Sequence, residues 1–342
     1  MDFRQSLKRA FSILVLSIAL ILIATYILAL ALGPIVFAIA ENMSKHKLIL
    51  EIPQLIPPNL HVKTKVTIPL LTFYMIAWSI FVACVIYSFR GYDKPFTKAF
   101  AEALSQPKAI FNNFFLAMPF ISSIAITTVF IAHVVQERAG IPIGTPPEVD
   151  YAIELLGLSY STILEEVCFR LLPIGIPLIF ILAFAFKHRL PSDEKQRADI
   201  ILKGFLRPKR AITSLVKSRE EDKLVSTLKT LLIAWSASTF GLLHYSLGDW
   251  QIGKILPTTI AGIILAYCYL EYGIEASILI HWIFNVYLAT YSLASTFIGE
   301  TFSTLLDAIM LLSTTTGAAA LAILAIHTIR KISSTQQAKL KT

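Results

Sequence analysis

Charge is scarce in this chain. Only 15% of its 342 residues are Asp, Glu, Lys or Arg, where a soluble domain carries roughly 25%. That shortage excludes a coiled coil and a disordered chain, and it argues against a soluble enzyme. Cysteine is nearly absent too. Cys84, Cys168 and Cys268 sit inside apolar runs with no Cys-x-x-Cys or Cys–His spacing, which excludes a disulfide framework and a thiolate metal site. They read as small buried hydrophobes. No internal repeat, lipidation motif or low-complexity tract interrupts the chain, and the His-Glu-x-x-His pattern of helix-borne zinc hydrolases is missing.

What remains is apolar. Residues of the apolar and aromatic types make up 56% of the chain, and they fall in runs long enough to cross a bilayer, which takes about 20 residues of helix. Eight segments qualify, at 11–40, 66–89, 109–134, 151–187, 229–247, 254–271, 276–295 and 304–327. The first is too long for the core of a cleaved signal peptide and reads as a retained span; its Gly33-Pro34 pair marks a kink or a continuation into the interface. The fourth contains Pro173 and Pro177 and could form one kinked helix or two crossings. Charge selects one crossing. With the N-terminus inside, the cytoplasmic segments hold 21 Lys and Arg against 5 outside, the asymmetry that orients membrane proteins. The fold class expected is an all-α polytopic bundle of about eight transmembrane helices with both termini cytoplasmic.

The excess of 30 basic over 22 acidic residues is accounted for by this asymmetry, so the lipid bilayer is the expected partner and nucleic acid is not. The 188–228 segment, with ten basic and six acidic residues, reads as a solvated cytoplasmic loop whose amphipathic pieces anchor to anionic headgroups. A regulatory or docking role is the alternative.

Ionisable side chains inside the spans are costly and tend to face a bundle interior. The fourth span holds Glu154, Glu165, Glu166 and Arg170, the fifth His244, the seventh His281 with Asn285. His133, Asp307, His327 and Glu154 lie near span ends and read as interfacial. Glu166 and Arg170, four apart, share a helix face and can pair, whereas Glu165 points about 100° away. Phe240 and His244 share one face, as do His281 and Asn285. From the residues alone, a packing ion pair with satisfied core histidines competes with a hydrated site among the fourth, fifth and seventh spans. A transporter or channel using these groups as a proton relay is a further alternative, although no inverted repeat supports it.

The order Glu-Glu-x-x-x-Arg, Phe-x-x-x-His, His-x-x-x-Asn on separate spans resembles the CAAX-processing and bacteriocin-immunity family of intramembrane endopeptidases, including the type II CAAX prenyl endopeptidases. The resemblance covers about residues 150–295. It implies an eight-helix bundle whose cavity opens to the cytosol, in which Glu165 and His244 activate water. His281 and Asn285 would stabilise the oxyanion, supported by the Glu166–Arg170 pair. It implies a membrane-associated, lipidated or prenylated protein or peptide as substrate. Leu171 stands where the family often has Gly, and the basic 188–228 insertion lengthens the usual connection. Chain organisation follows: an N-terminal region of three spans at 1–148, a catalytic core at 149–300, and a last span with tail at 301–342. A non-catalytic immunity or scaffold relative is disfavoured by the intact motifs. The cofactor is unresolved, either none or a divalent metal such as zinc; a metal would use Glu165, His244 and His281.

Overall fold

A computed structural model describes residues 3–44, 48–56, 60–91, 93–144, 149–246 and 250–339. The architecture is a polytopic helical bundle. Seven helices are long and apolar enough to cross a membrane. They lie in α1 (Phe3–Met43), α2 (Leu70–Arg90), α4 (Phe114–Arg138), α5 (Tyr151–Ala185), α9 (Ile255–Tyr272), α10 (Ile274–Phe297) and α11 (Thr301–Lys339). Shorter helices α3 (Phe96–Ala103), α6 (Glu194–Leu206) and α7 (Pro208–Leu215) lie between them. The expected span at 229–247 is the second half of α8 (Arg219–Ser246). Lys229, three serines, Thr239 and His244 keep it below the apolarity of the other seven, yet it packs along α9 and α5 inside the bundle. An antiparallel hairpin of β1 (Leu48–Ile56) and β2 (Leu60–Ile68), pairing Ile52 with Thr64, interrupts the otherwise helical order between α1 and α2.

The fourth apolar segment is one continuous helix. α5 runs from an Asp150 cap, whose carboxylate accepts from the Ala152 amide at 3.0 Å, to Ala185, and widens into a π-helical stretch over Val167–Gly175. Pro173 lies in that stretch: it has no amide hydrogen to give, and its ring crowds the carbonyl four residues back, so the turn widens. The hydroxyl of Ser236 on α8 donates to the Phe169 carbonyl at 2.5 Å and helps to satisfy this stretch. α1 likewise continues through Pro34. At its far end the Glu41 carboxylate accepts from the Leu70 amide at 2.6 Å, capping α2, whose own cap position is proline.

Two apolar cores organise the bundle. The larger joins α1, α2, α4, the first half of α5 and α10 around Tyr26, Phe37, Tyr74, Phe81, Trp282 and Tyr287. The smaller joins the second half of α5 to α7 and the end of α9 through Leu178, Leu182, Ala211, Leu215 and Tyr269. The 188–228 segment is therefore a docked helical cap rather than a loose solvated loop. Burial of Ala211 and Leu215 draws it in, and ion pairs fix it: Arg207–Glu275 at 2.6 Å, Lys209–Glu271 at 2.7 Å and Arg189–Glu221 at 2.7 Å. The Tyr269 hydroxyl donates to the Phe205 carbonyl at 2.5 Å. Glu271 and Glu275 flank Gly273, whose φ of 109° lets the chain reverse directly from α9 into α10.

Cys84 and Cys268 are buried as expected, but Cys168 is exposed on the outer face of α5. It stands between the inward-facing Glu166 and Arg170 on a helix whose other side is exposed at Val167 and Cys168.

Candidate active site

Three helices bring the scarce polar groups together. α5 supplies Glu165, Glu166 and Arg170, α8 supplies His244, and α10 supplies His281 and Asn285. The two carboxylates point apart, as neighbours on a helix must. Glu166 is fully buried, whereas the Glu165 side chain retains 25% exposure.

Glu166 is the structural anchor. Its Oε1 accepts from His281 Nδ1 at 2.7 Å, and its Oε2 accepts from the Ser277 hydroxyl and lies 3.4 Å from Arg170 Nε. Ser277 Oγ is also 2.9 Å from the Leu265 carbonyl, tying the anchor to α9. Arg170, with no exposure, lays its guanidinium 4.6 Å from the centroid of the Phe240 ring. That ring stands edge-on to the His244 and His281 imidazoles, with centroids 4.4 and 5.9 Å away. Phe240 thus separates the cation from both histidines and fixes their planes. Stacking over an aromatic face offsets part of the cost of burying the guanidinium.

Glu165 faces the working side. Its Oε2 lies 3.8 Å from His244 Nε2 and 3.5 Å from His281 Nε2, and it makes no hydrogen bond among the described residues. His244 Nδ1 contacts the Phe240 carbonyl at 2.8 Å. A carbonyl can only accept, so Nδ1 carries the proton and Nε2 presents a lone pair towards Glu165. The same logic puts the proton of His281 on Nδ1, facing Glu166. Asn285 Nδ2 lies 3.2 Å from His281 Nε2 and 3.3 Å from Ser161 Oγ, so the amide donates to both. α10 widens into a π-helical stretch at Ile283–Tyr287, around Asn285; such insertions recur at functional sites.

All six residues singled out from the sequence are thus brought together: Glu165, Glu166, Arg170, His244, His281 and Asn285. Glu154, Asp307 and His327 are exposed and His133 is half-buried, and none of these joins the cluster. Two members were not foreseen. Ser161 precedes Glu165 by four residues and Ser277 precedes His281 by four, so each lies one turn before an identified residue on the same face. That spacing was a usable signal. For a metal, Glu165, His244 and His281 approach one another through Oε2 and the two Nε2 atoms, but among the described residues no three His, Cys, Asp or Glu side chains form a metal-holding group.

A bundle of membrane-length helices burying a carboxylate–imidazole–amide cluster defines the class: an integral, multi-pass membrane protein with a polar centre inside it. Residues 151–287, about two-fifths of the chain, match the family model described as type II CAAX prenyl endopeptidase Rce1-like. This segment, which contains every residue of the cluster, is thus similar to CAAX intramembrane proteases. No curated protein and no solved structure matches it.

Proposed function

We propose that the protein is an intramembrane endopeptidase that hydrolyses a peptide bond in a membrane-associated, possibly prenylated, protein. The observation that carries this is a pair of acceptors on two helices, Glu165 Oε2 and His244 Nε2, 3.8 Å apart and without a hydrogen bond to each other or to another of the described residues. One water, with hydrogen bonds of about 2.8 Å, can donate to both.

The chemistry follows from that placement. Glu165 takes a proton from the water as its oxygen bonds to the scissile carbonyl carbon, and His244 orients the water. The carbonyl oxygen becomes an oxyanion. Asn285 turns an amide hydrogen to it, and His281, whose Nδ1 hydrogen stays directed at Glu166, becomes a second donor once Nε2, an acceptor at rest, has taken a proton from solvent. The proton on Glu165 passes to the leaving nitrogen as the C–N bond breaks. Glu166 and Arg170 touch no reacting atom; they hold His281. Residues 149–300 form the catalytic core, and spans within 1–148 and 301–342 support it. The excess of Lys and Arg in the segments read as cytoplasmic supports an orientation with both termini, the 188–228 cap and the mouth of the site on the cytosolic side.

The test is a cleavage panel: purified protein in micelles with lipidated and unlipidated peptides, with and without a strong chelator. Glu165→Gln and His244→Ala should abolish cleavage while the protein still folds. Asn285→Ala should lower kcat by about 100- to 1000-fold. Cleavage should survive the chelator; loss that zinc restores would assign Glu165, His244 and His281 as metal ligands instead. Normal activity in Glu165→Gln would overturn the reading.

A further inference from the structure

Ser161 touches the oxyanion donor Asn285, and the catalytic steps give it no part. It lies in α5 one turn before Glu165, shares its face, and has a half-buried side chain. A serine hydroxyl has one hydrogen to give. Here that hydrogen goes back along the helix, to the Leu158 carbonyl at 3.2 Å. The lone pairs of Oγ are left to accept, and Asn285 Nδ2 lies against them at 3.3 Å. Ser159 and Thr162 of the same helix also donate to helix carbonyls, but among the described residues no side chain donates to either in return.

Asn285 needs such a partner. The torsion that turns an asparagine amide is broad and has no sharp preferred value, so hydrogen bonds fix the direction in which the amide points. Its Nδ2 carries two hydrogens. At rest one meets Ser161 Oγ and the other His281 Nε2, 3.2 Å away, and Oδ1 accepts no hydrogen bond among the described residues. His281 Nε2 lies 3.5 Å from Glu165 Oε2. The hydrogen on that side therefore borders the space where the carbonyl is attacked, and it is the one that turns to the oxyanion. Once it has turned, Ser161 alone of the described residues still holds the amide. α5 then carries both the base and the pivot of the oxyanion donor, one turn or about 6 Å apart along its axis. A single rigid element thus sets the distance from the attacking water to the group that receives the charge.

We infer that Ser161 is a positioning residue for the hydrolysis: by accepting one amide hydrogen of Asn285 it keeps the other aimed at the oxyanion. The inference rests on the endopeptidase reading and extends it to a residue that touches no reacting atom.

The experiment follows whichever peptide, lipidated or unlipidated, wild type cuts faster. It compares Ser161→Ala, Ser161→Thr, Asn285→Ala and the double variant Ser161→Ala/Asn285→Ala, each per folded molecule. Ser161→Ala should lower kcat about 3- to 10-fold, the range for one neutral hydrogen bond, with KM unchanged. Ser161→Thr keeps the hydroxyl and should restore kcat. The double variant should be no slower than Asn285→Ala alone, because Ser161 acts only through the amide; a separate packing role would multiply the two losses. A phosphinic peptide, whose anionic tetrahedral group imitates the intermediate, should bind Ser161→Ala more weakly by the same factor. The substrate peptide itself should bind Glu165→Gln and Glu165→Gln/Ser161→Ala equally. Wild-type kcat in Ser161→Ala, or losses that multiply in the double variant, overturns the assignment while leaving the endopeptidase standing. A loss as complete as that of Glu165→Gln also overturns it, making Ser161 a group that takes part in bond making. If wild type cuts neither peptide, the endopeptidase reading fails and the role of Ser161 falls with it.

Discussion

The Glu166–Arg170 pair carries the most demanding test of how this site is held. Both side chains have no exposure, their closest charged atoms are 3.4 Å apart, and they stand one turn apart on α5. Arg170→Met keeps a side chain of similar reach but removes the cation. Glu166 would then be a buried carboxylate held only by His281 and Ser277. Breaking such a pair on one side costs about 3–5 kcal/mol, because the remaining charge is uncompensated. The stack on Phe240 at 4.6 Å is also lost, adding about 0.5–2 kcal/mol. Glu166→Gln on top of Arg170→Met removes that carboxylate while an amide oxygen still accepts from His281 Nδ1. The double variant should therefore recover about 2 kcal/mol or more relative to Arg170→Met. Its peptidase activity should stay about 10- to 100-fold low, since His281 loses its ionic anchor. Unfolding by SDS in mixed micelles measures the stabilities, and cleavage per folded molecule measures the activity. Additivity of the two single changes within about 0.5 kcal/mol would mean that the charges are not coupled, and the account of Glu166 as anchor would fall.

Two further outcomes follow from local geometry. Gly241 precedes His244 by one turn, and a Cβ there would lie 2.8 Å from the Ile255 carbonyl and against Thr259 Oγ1. Gly241→Ala should force α8 from α9, costing about 1–3 kcal/mol and slowing cleavage through His244; wild-type stability and activity would contradict this packing. In the cap, Arg189 foremost, with the Lys217 and Ser218 amides, draws the Glu221 carboxyl down to about 2. Its folded value lies below its ordinary one, so its contribution is complete above about pH 4.5 and is lost as pH falls from there through about 2. Hydrogen exchange at Lys217 and Ser218, corrected for intrinsic rates, should show protection at pH 6 that is gone near pH 2. Unchanged protection would refute the clasp.

The membrane architecture was legible because lipid penalises polar residues uniformly along a span, so runs of 20 apolar residues carry their meaning locally. α8 shows where that reading thins. Ser236 is buried against α5 while Ser238 and Ser246 stay exposed, so what holds this helix is a fact of neighbours and not of composition. The cap shows the converse, since ten basic residues in 188–228 suggested solvent while Ala211, Leu215 and the Glu271 and Glu275 partners decide the docking.

The sequence by itself determined which side chains are out of place in hydrocarbon and which of them share a helix face: Glu166 with Arg170, Phe240 with His244, His281 with Asn285. Periodicity fixes those relations within one helix. Which faces meet was decided only by the tertiary structure. Helix packing sets Glu165 against two histidines from residues 79 and 116 positions away and gives Glu166 to His281 and Ser277. Contacts between helices depend on the rotation of each one about its axis, and the packed bundle fixes that rotation.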